Sequence, residues 1–288
     1  MENKHEIKNL DSLLPPEMAR AAEEVGMAKA SMGIPKTTML AILAGAFIAF
    51  GAIFATLVSA GSTMSYGVTK LLSGLTFSLG LILVVVGGAE LFTGNNLLTM
   101  AWASKKVSTR QILKNWLVVY LGNMIGAFSI VLMIWLSGHH LSGDGMIGAN
   151  MLKIAAAKCE LGFLQAVVLG VLCNILVCLA IWLCYSTKTT HGKILAIIFP
   201  ITAFVAAGFE HSVANMYFIP MGMLVKQMGD PALWNQIPEI SQHIESLTWG
   251  NYLYKNLIPV TIGNIIGGAG FVGIAYWLIY SSKWSNNN

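Results

Sequence analysis

The chain has 288 residues, of which 56% are hydrophobic and only 10% charged, with a formal net charge of +4. Soluble domains carry roughly 25% charged residues, so this composition excludes an ordinary soluble enzyme or binding module and indicates an integral membrane protein. The basic residues are confined to short segments between apolar runs, so the positive charge does not indicate a nucleic-acid partner. Because apolar segments fill the chain almost from end to end, we predict a single all-α membrane domain.

Residues 1–36 form the only extended polar part of the chain. The sequence PPE at 15–17 is typical of the first turn of a helix, where proline and an acidic residue are favourable. Met18, Ala22 and Val25 then fall on one helical face. We predict a cytoplasmic amphipathic arm that lies at the membrane surface or plugs the domain; a solvated arm with no gating role is the alternative.

Six apolar intervals follow, and a membrane-crossing helix needs about 20 such residues. They lie at 39–60, 71–104, 115–138, 161–187, 194–225 and 257–282. The second and the fifth interval each hold one charged residue and, as continuous helices at ~1.5 Å per residue, would be roughly 50 Å long. The hydrocarbon core is only about 30 Å thick, so both must break or bend. We predict a six-helix channel domain over 37–282 and a cytoplasmic tail at 283–288.

Lysine and arginine predict the orientation of these six spans. Twelve of the 17 basic residues fall on one side of the arrangement and five on the other. Because basic residues accumulate in cytoplasmic loops, we expect both termini in the cytoplasm. The protein is expected to be a multi-pass protein of the inner (cytoplasmic) membrane.

Two pairs of motifs divide the chain into an inverted repeat. GAELFTGN at 88–95 is echoed by GFEHSVAN at 208–215, and GNMIG at 122–126 by GNIIG at 263–267. Three spans per half place the second half upside down relative to the first, and interrupted helices at corresponding positions are typical of transport folds with a site near the membrane midplane. We predict an aquaporin-like inverted 3+3 repeat with broken helices two and five. The repeats are expected to cover about 37–140 and 161–282.

The glycine pairs of the second motif have a plain structural interpretation, since small residues let helices approach closely. The asparagines beside them, Asn123 and Asn264, are expected to satisfy backbone groups that the breaks leave free.

Glu90 and Glu210 are carboxylates at membrane depth and therefore need partners. Their equivalent positions favour a scaffold role, in which each carboxylate accepts hydrogen bonds from N–H groups of a broken helix, over a proton relay. The half-helices that begin near Thr93 and at Ser212 would aim their N-termini at the centre. Two such N-termini create a positive potential without formal charge, which favours an anion.

His211 directly follows Glu210 at the position where the first repeat has Leu91. Imidazole exchanges protons near neutral pH, so we predict that His211 donates a proton to a weak-acid anion, which then crosses apolar constrictions as the neutral acid. No second haem ligand or His/Asp/Glu cluster accompanies it in the sequence, and no cofactor or metal is expected. His139 and His140 are placed in a solvated loop.

Four segments together carry a family resemblance. They are FSLGLILVVVGGAELFTG at 77–94, LGVLCNILVCLAIW at 169–182, GFEHSVANM at 208–216 and IPVTIGNIIGG at 258–268. With these motifs the chain resembles the formate/nitrite transporter family, over nearly its whole length. The resemblance implies a homopentamer in the lipid bilayer with one pore per protomer, which passes formate or a similar small monovalent anion.

The resemblance also implies roles for individual residues. Thr93 and His211 would form a central polar pair, with Asn174 holding the histidine. Lys158 would be the electropositive residue of an outer vestibule, and Asn215 would complete the second motif. The apolar constrictions would be formed by Phe77, Leu81, Leu91 and Phe204.

The residues leave the transported anion open. Glu90 and Gly94 stand where the formate branch of the family often has Asp and Ser, and ELFTG also resembles the nitrite branch. The N-terminal arm and GFEHSVANM favour the formate branch. We expect formate as the substrate, with nitrite and hydrosulfide as alternatives within the family. A membrane-embedded redox enzyme is the alternative from a different class, and an aquaporin-type pore is disfavoured because the N-P-A motif is absent from the sequence.

Overall fold

The computed structural model describes residues 12–228 and 244–281. The predicted tail at 283–288 and the first eleven residues of the arm lie outside the described residues. Within the described ranges the protein is all-helical and contains no β-strand. In chain order the helices are α1 (Pro15–Ser31), α2 (Ile34–Ser59), α3 (Tyr66–Gly87), α4 (Leu98–Ala103), α5 (Thr109–Leu136), α6 (Met146–Cys159), α7 (Phe163–Tyr185), α8 (Thr190–Ala206), α9 (Ser212–Met228) and α10 (Trp249–Tyr280). Short 3-10 turns lie at Gly94–Leu97, His139–Leu141 and Ile244–Ser246.

Five helices in the described part of the chain are long and apolar enough to cross a membrane: α2, α3, α5, α7 and α10. Helix α8 is apolar but shorter, with 17 residues, and α9 has the same length. The protein is therefore a multi-pass membrane protein in which the fifth apolar interval is divided between two helices.

The helical path is interrupted at 88–93 and again at 207–211. Gly88 and Gly208 follow the ends of α3 and α8 with φ angles of 81° and 75°. This left-handed conformation is accessible to glycine at little cost and commonly ends a helix. Both interruptions lie inside the two intervals that are too long for one straight crossing.

Close helix contacts are built on the glycines of the second motif. An added Cβ at Gly126 would collide with the Ile42 carbonyl oxygen of α2, and one at Gly267 would collide with the Val171 carbonyl oxygen of α7. Helix pairs α2/α5 and α7/α10 therefore pack backbone against backbone in the same manner. This agrees with the packing interpretation of the G-x-x-x-G pairs.

Helix α1 is docked against α4, α5, α7 and the end of α10. Met18 and Ala22 are buried on its packed face, as the amphipathic pattern predicts, and Glu23 is buried with them. The Glu23 carboxylate accepts hydrogen bonds from Ser104 Oγ and Lys106 Nζ, each at 2.6 Å. Burial raises the pKa of Glu23, but these hydrogen bonds outweigh it, and the pKa lies below its ordinary value. A partly buried ion pair thus links the arm to the bundle.

His140 corrects one expectation, since it is not solvated. Only 6% of the residue is exposed, and its ring stacks on Trp135 with centroids 4.2 Å apart. Burial, with a smaller contribution from the neighbouring His139, lowers the pKa of His140. The aromatic surface at the end of α5 covers the imidazole, which the polar local sequence does not indicate.

Candidate functional site

The two interrupted segments meet at a hydrogen bond between Thr93 and His211. Thr93 Oγ1 and His211 Nε2 are 2.9 Å apart, and both residues are buried. His211 Nδ1 accepts the N–H of Ala214 at 3.0 Å, so the imidazole also caps the first turn of α9. Because Nδ1 accepts, the proton of a neutral ring belongs on Nε2, which then donates to the threonine. The structure therefore places Thr93 and His211, the pair that the family resemblance implies, in direct contact.

Asn174 lies beside this pair but does not hold the histidine. Among the described residues, its amide donates to the backbone carbonyls of Thr93 at 3.3 Å and Asn264 at 2.6 Å. Cys178, one turn further along α7, also contacts the Thr93 carbonyl through its thiol, at 3.4 Å. The expectation for Asn174 is corrected: it positions the backbone on the threonine side of the pair, and the imidazole is held by its own helix.

Glu210 is paired with Lys158 rather than with a free helix end. Lys158 Nζ lies 2.7 Å from Glu210 Oε1. The other carboxylate oxygen accepts the amides of Asn215 at 2.6 Å and Asn256 at 3.0 Å. These partners replace the backbone N–H donors that we predict from the sequence. The lysine side chain is only 16% exposed, and the carboxylate of Glu210 compensates its charge inside the protein.

Glu90 forms a matching network at the other interruption. Its Oε1 lies 3.1 Å from Lys29 Nζ, and its Oε2 accepts the amide of Asn95 at 2.7 Å, which also donates to Asn115 at 2.9 Å. Lys29 belongs to α1, so the arm supplies the cation that Lys158 supplies in the second repeat. Sequence reasoning missed Lys29 because the arm lies outside the repeat, although the offset of 141 residues already relates Asn115 to Asn256.

The repeat asparagines hydrogen-bond to the backbone at both interruptions. Asn123 accepts the N–H of Phe92 at 2.9 Å and donates to the carbonyls of Ala41 and Glu90, at 2.8 and 2.9 Å. Asn264 makes the equivalent three contacts in the second repeat. Side-chain amides therefore take the place of the missing helical hydrogen bonds.

Apolar side chains surround the polar pair. The ring centroids of Phe204 and His211 are 5.9 Å apart. Phe77 meets Phe204 edge-on at 5.7 Å. Leu81 and Leu91 are buried in the same apolar cluster. All four residues with predicted constriction roles therefore lie in the buried core. Phe204 lies directly against the histidine, and Phe77 lies against Phe204.

These features define a class of protein, a multi-pass membrane protein whose two interrupted helical segments converge on a buried polar pair in apolar surroundings. Comparison with known proteins then gives the family. Residues 16–278 match the family model described as formate/nitrite transporter, and the chain belongs to this family. The resemblance drawn from the motifs is confirmed.

Relatives agree over almost the whole chain. It is 46% identical over 271 residues to the formate channel FocA of Escherichia coli (strain K12), covering 94% of this chain and 95% of that protein. It is 42% identical to the formate channel FocA of Haemophilus influenzae, with 91% and 93% covered. Among solved structures it is similar to a pentameric formate channel with formate bound, with a TM-score of 0.80, 44% identity, and 86% of this chain and 98% of that chain covered. These relatives are channels, which confirms the prediction of a transport protein over an enzyme.

Proposed function

We propose that the protein is a channel for small monovalent weak-acid anions, with formate as the principal substrate and nitrite and hydrosulfide as alternatives. The observation that carries the proposal is the buried hydrogen bond of 2.9 Å between Thr93 and His211, where the two interrupted segments meet. The formate channels among the relatives support the choice of anion.

The proposed architecture is six spans in an aquaporin-like inverted 3+3 repeat, with the second and fifth spans broken. The matching networks at Glu90 and Glu210 support it, because each places a lysine and two asparagines around an equivalent carboxylate. The arm over 1–36 and both termini lie in the cytoplasm in this arrangement, and the membrane is the inner membrane. The similarity to a pentameric formate channel supports a homopentamer with one pore per protomer.

Proton transfer at His211 has a condition that the hydrogen bonds impose. The neutral imidazole donates a hydrogen bond through Nε2 and accepts the Ala214 N–H at Nδ1. To act as an acid and end as a neutral ring, it must first take up a second proton, on Nδ1. An isolated imidazolium in this buried site would be costly. Proton and anion therefore enter together: the imidazolium pairs with formate, Nε2 passes its proton to a carboxylate oxygen, and formic acid leaves a neutral ring whose remaining proton is on Nδ1. That proton must move to Nε2 before Nδ1 can accept the Ala214 N–H again.

The neutral acid can then pass the buried apolar residues with predicted constriction roles, such as Phe77 and Leu91, at much lower cost than the anion. Lys158 has a different role, at the outer vestibule. Its ammonium, although paired with Glu210, adds to the positive potential that concentrates anions at the entrance. The net cargo of one cycle is one proton with one anion.

Flux of labelled formate into liposomes tests this proposal. We expect the wild-type protein to take up formate faster as the external pH falls. The variant His211→Asn keeps a hydrogen-bonding side chain but cannot titrate, and we expect its uptake to fall at least about tenfold and to lose its pH dependence. His191→Asn, at an exposed histidine, is the matched control. Competition with nitrite and hydrosulfide ranks the anions.

The outcomes separate the two parts of the proposal. A wild-type protein that carries none of the three anions refutes the channel assignment. Unchanged pH-dependent uptake by His211→Asn refutes the proton-transfer role but leaves the channel assignment in place.

A further inference from the structure

Phe218 lies between the ammonium of Lys158 and the predicted constriction. Lys158 Nζ is 5.4 Å from the Phe218 ring centroid, within the range of a cation–π attraction. Phe218 also stacks against Phe77, with centroids 6.4 Å apart and ring planes at 19°. Phe77 in turn meets Phe204, which lies against His211. A continuous row of rings thus leads from the lysine to the histidine.

The place of Phe218 on α9 puts it at the outer end of this row. His211 directly precedes α9, and Phe218 is about two helical turns further on, which corresponds to roughly 10 Å along the axis. Phe77 and Phe204 are buried, whereas Phe218 is partly exposed. Phe218 is therefore the only one of the four rings in this row that is not fully buried.

The first repeat has no comparable ring at this position. The offset of 120 residues that relates Glu90 to Glu210 places Leu98 opposite Phe218. Leu98 is 2% exposed and lies beneath α1 at Gly26. An aliphatic side chain covered by the arm thus replaces a partly exposed aromatic one. The two repeats therefore differ at this position, where the second repeat has the contact between Lys158 and Phe218.

We propose that Phe218 is a specificity-determining residue, which narrows the path at the Lys158 end and holds the Lys158 ammonium beside it. The assignment rests on the proposed channel function. The ring limits the cross-section available to an entering acid, so a one-carbon carboxylate passes more easily than one with additional methyl groups. Its π face also attracts the ammonium, which keeps the positive charge of Lys158 at the entrance instead of in bulk solvent.

The test compares formate, acetate and lactate uptake by the reconstituted full-length protein at one pH. Phe218→Ala removes both bulk and π face, and we expect its acetate-to-formate flux ratio to rise at least about fivefold. Phe218→Leu keeps most of the bulk, so the ratio should stay within about twofold while the KM for formate rises severalfold. Phe199→Ala is the matched control, because Phe199 of α8 is 75% exposed and lies outside the row of rings.

A larger ring provides a second measurement. Phe218→Trp is expected to lower acetate uptake more than formate uptake, and it decides the question if Phe218→Ala does not assemble. Equal flux ratios in wild type, Phe218→Ala and Phe218→Trp, with elution in size-exclusion chromatography unchanged, overturn the assignment. Absence of formate uptake by the wild-type protein instead overturns the proposed function, so the two failures are distinguishable.

Discussion

Asn123 and Asn264 stand 141 residues apart in the sequence and make the same three hydrogen bonds to the backbone of the two interrupted segments. Asn264 accepts the N–H of Ser212 at 2.9 Å and donates to the carbonyls of Gly170 and Glu210, at 2.9 and 3.0 Å. A buried polar group left without a partner costs about 1–3 kcal/mol. One amide in each repeat therefore makes it possible to interrupt a helix inside an apolar bundle.

Truncation of this amide is expected to destabilise the protein strongly. Asn264→Ala leaves one N–H and two carbonyl groups of the buried backbone short of a partner, and we expect the midpoint of thermal unfolding in detergent to fall by about 5 °C or more. Asn251→Ala, which removes an amide that donates to the Ser246 carbonyl near the surface, should lower it much less. Equal shifts in the two variants would contradict this account.

Two glycines of α10 give a paired test of helix approach. A Cβ at Gly267 would collide with the Val171 carbonyl oxygen, whereas a Cβ at Gly270 has no heavy atom within 4 Å. We expect Gly267→Ala to separate α7 from α10 and to cost about 1–3 kcal/mol, because the backbone must shift. Gly270→Ala should be neutral within about 0.5 kcal/mol. Thermal unfolding and size-exclusion chromatography of both variants check the difference.

Asn174 donates a hydrogen bond to the Thr93 carbonyl. We therefore expect loss of the Asn174 amide to affect transport more than folding. Asn174→Ala frees the backbone at Thr93, and a loss of about 1.4 kcal/mol in positioning corresponds to a tenfold lower formate flux. Cys173→Ala is the control, since Cys173 is buried next to it on α7. If both variants transport at the wild-type rate, Asn174 has no positioning role.

Docking of α1 is expected to depend on pH through Glu23. Because the pKa of Glu23 is lowered in the folded state, its charge stabilises the docked arm above the unfolded-state pKa of about 4.3. This stabilisation is lost as the pH falls through the lower folded-state value. Spin labels on α1 and α5 should therefore report a broader distance distribution below about pH 4 than at pH 7.

Two carboxamide variants separate this ion pair from other acid effects. Glu23→Gln should broaden the same distribution already at pH 7, because Lys106 and Ser104 lose a charged acceptor. Glu24→Gln changes an exposed neighbour and should leave it unchanged. A narrow distribution for Glu23→Gln at pH 7 would show that apolar contacts alone hold the arm.

The sequence by itself determined the membrane class, the apolar intervals, the positions of both interruptions and the family. These properties follow from local features: a bilayer demands long charge-free helices, and a glycine inside an overlong interval marks where a helix ends. The equivalence of Asn123 and Asn264 is also visible in the sequence alone, because the same motif occurs in both repeats.

Only the tertiary structure decided which partners the buried side chains take. Lys29 pairs with Glu90 across more than 60 residues of chain, Asn174 holds a backbone carbonyl instead of His211, and Phe218 joins Lys158 to Phe77. Each of these contacts joins segments that are distant in sequence. A side chain in an apolar bundle bonds to whichever group the packing of helices brings within about 3 Å, and neither composition nor spacing along the chain contains that distance.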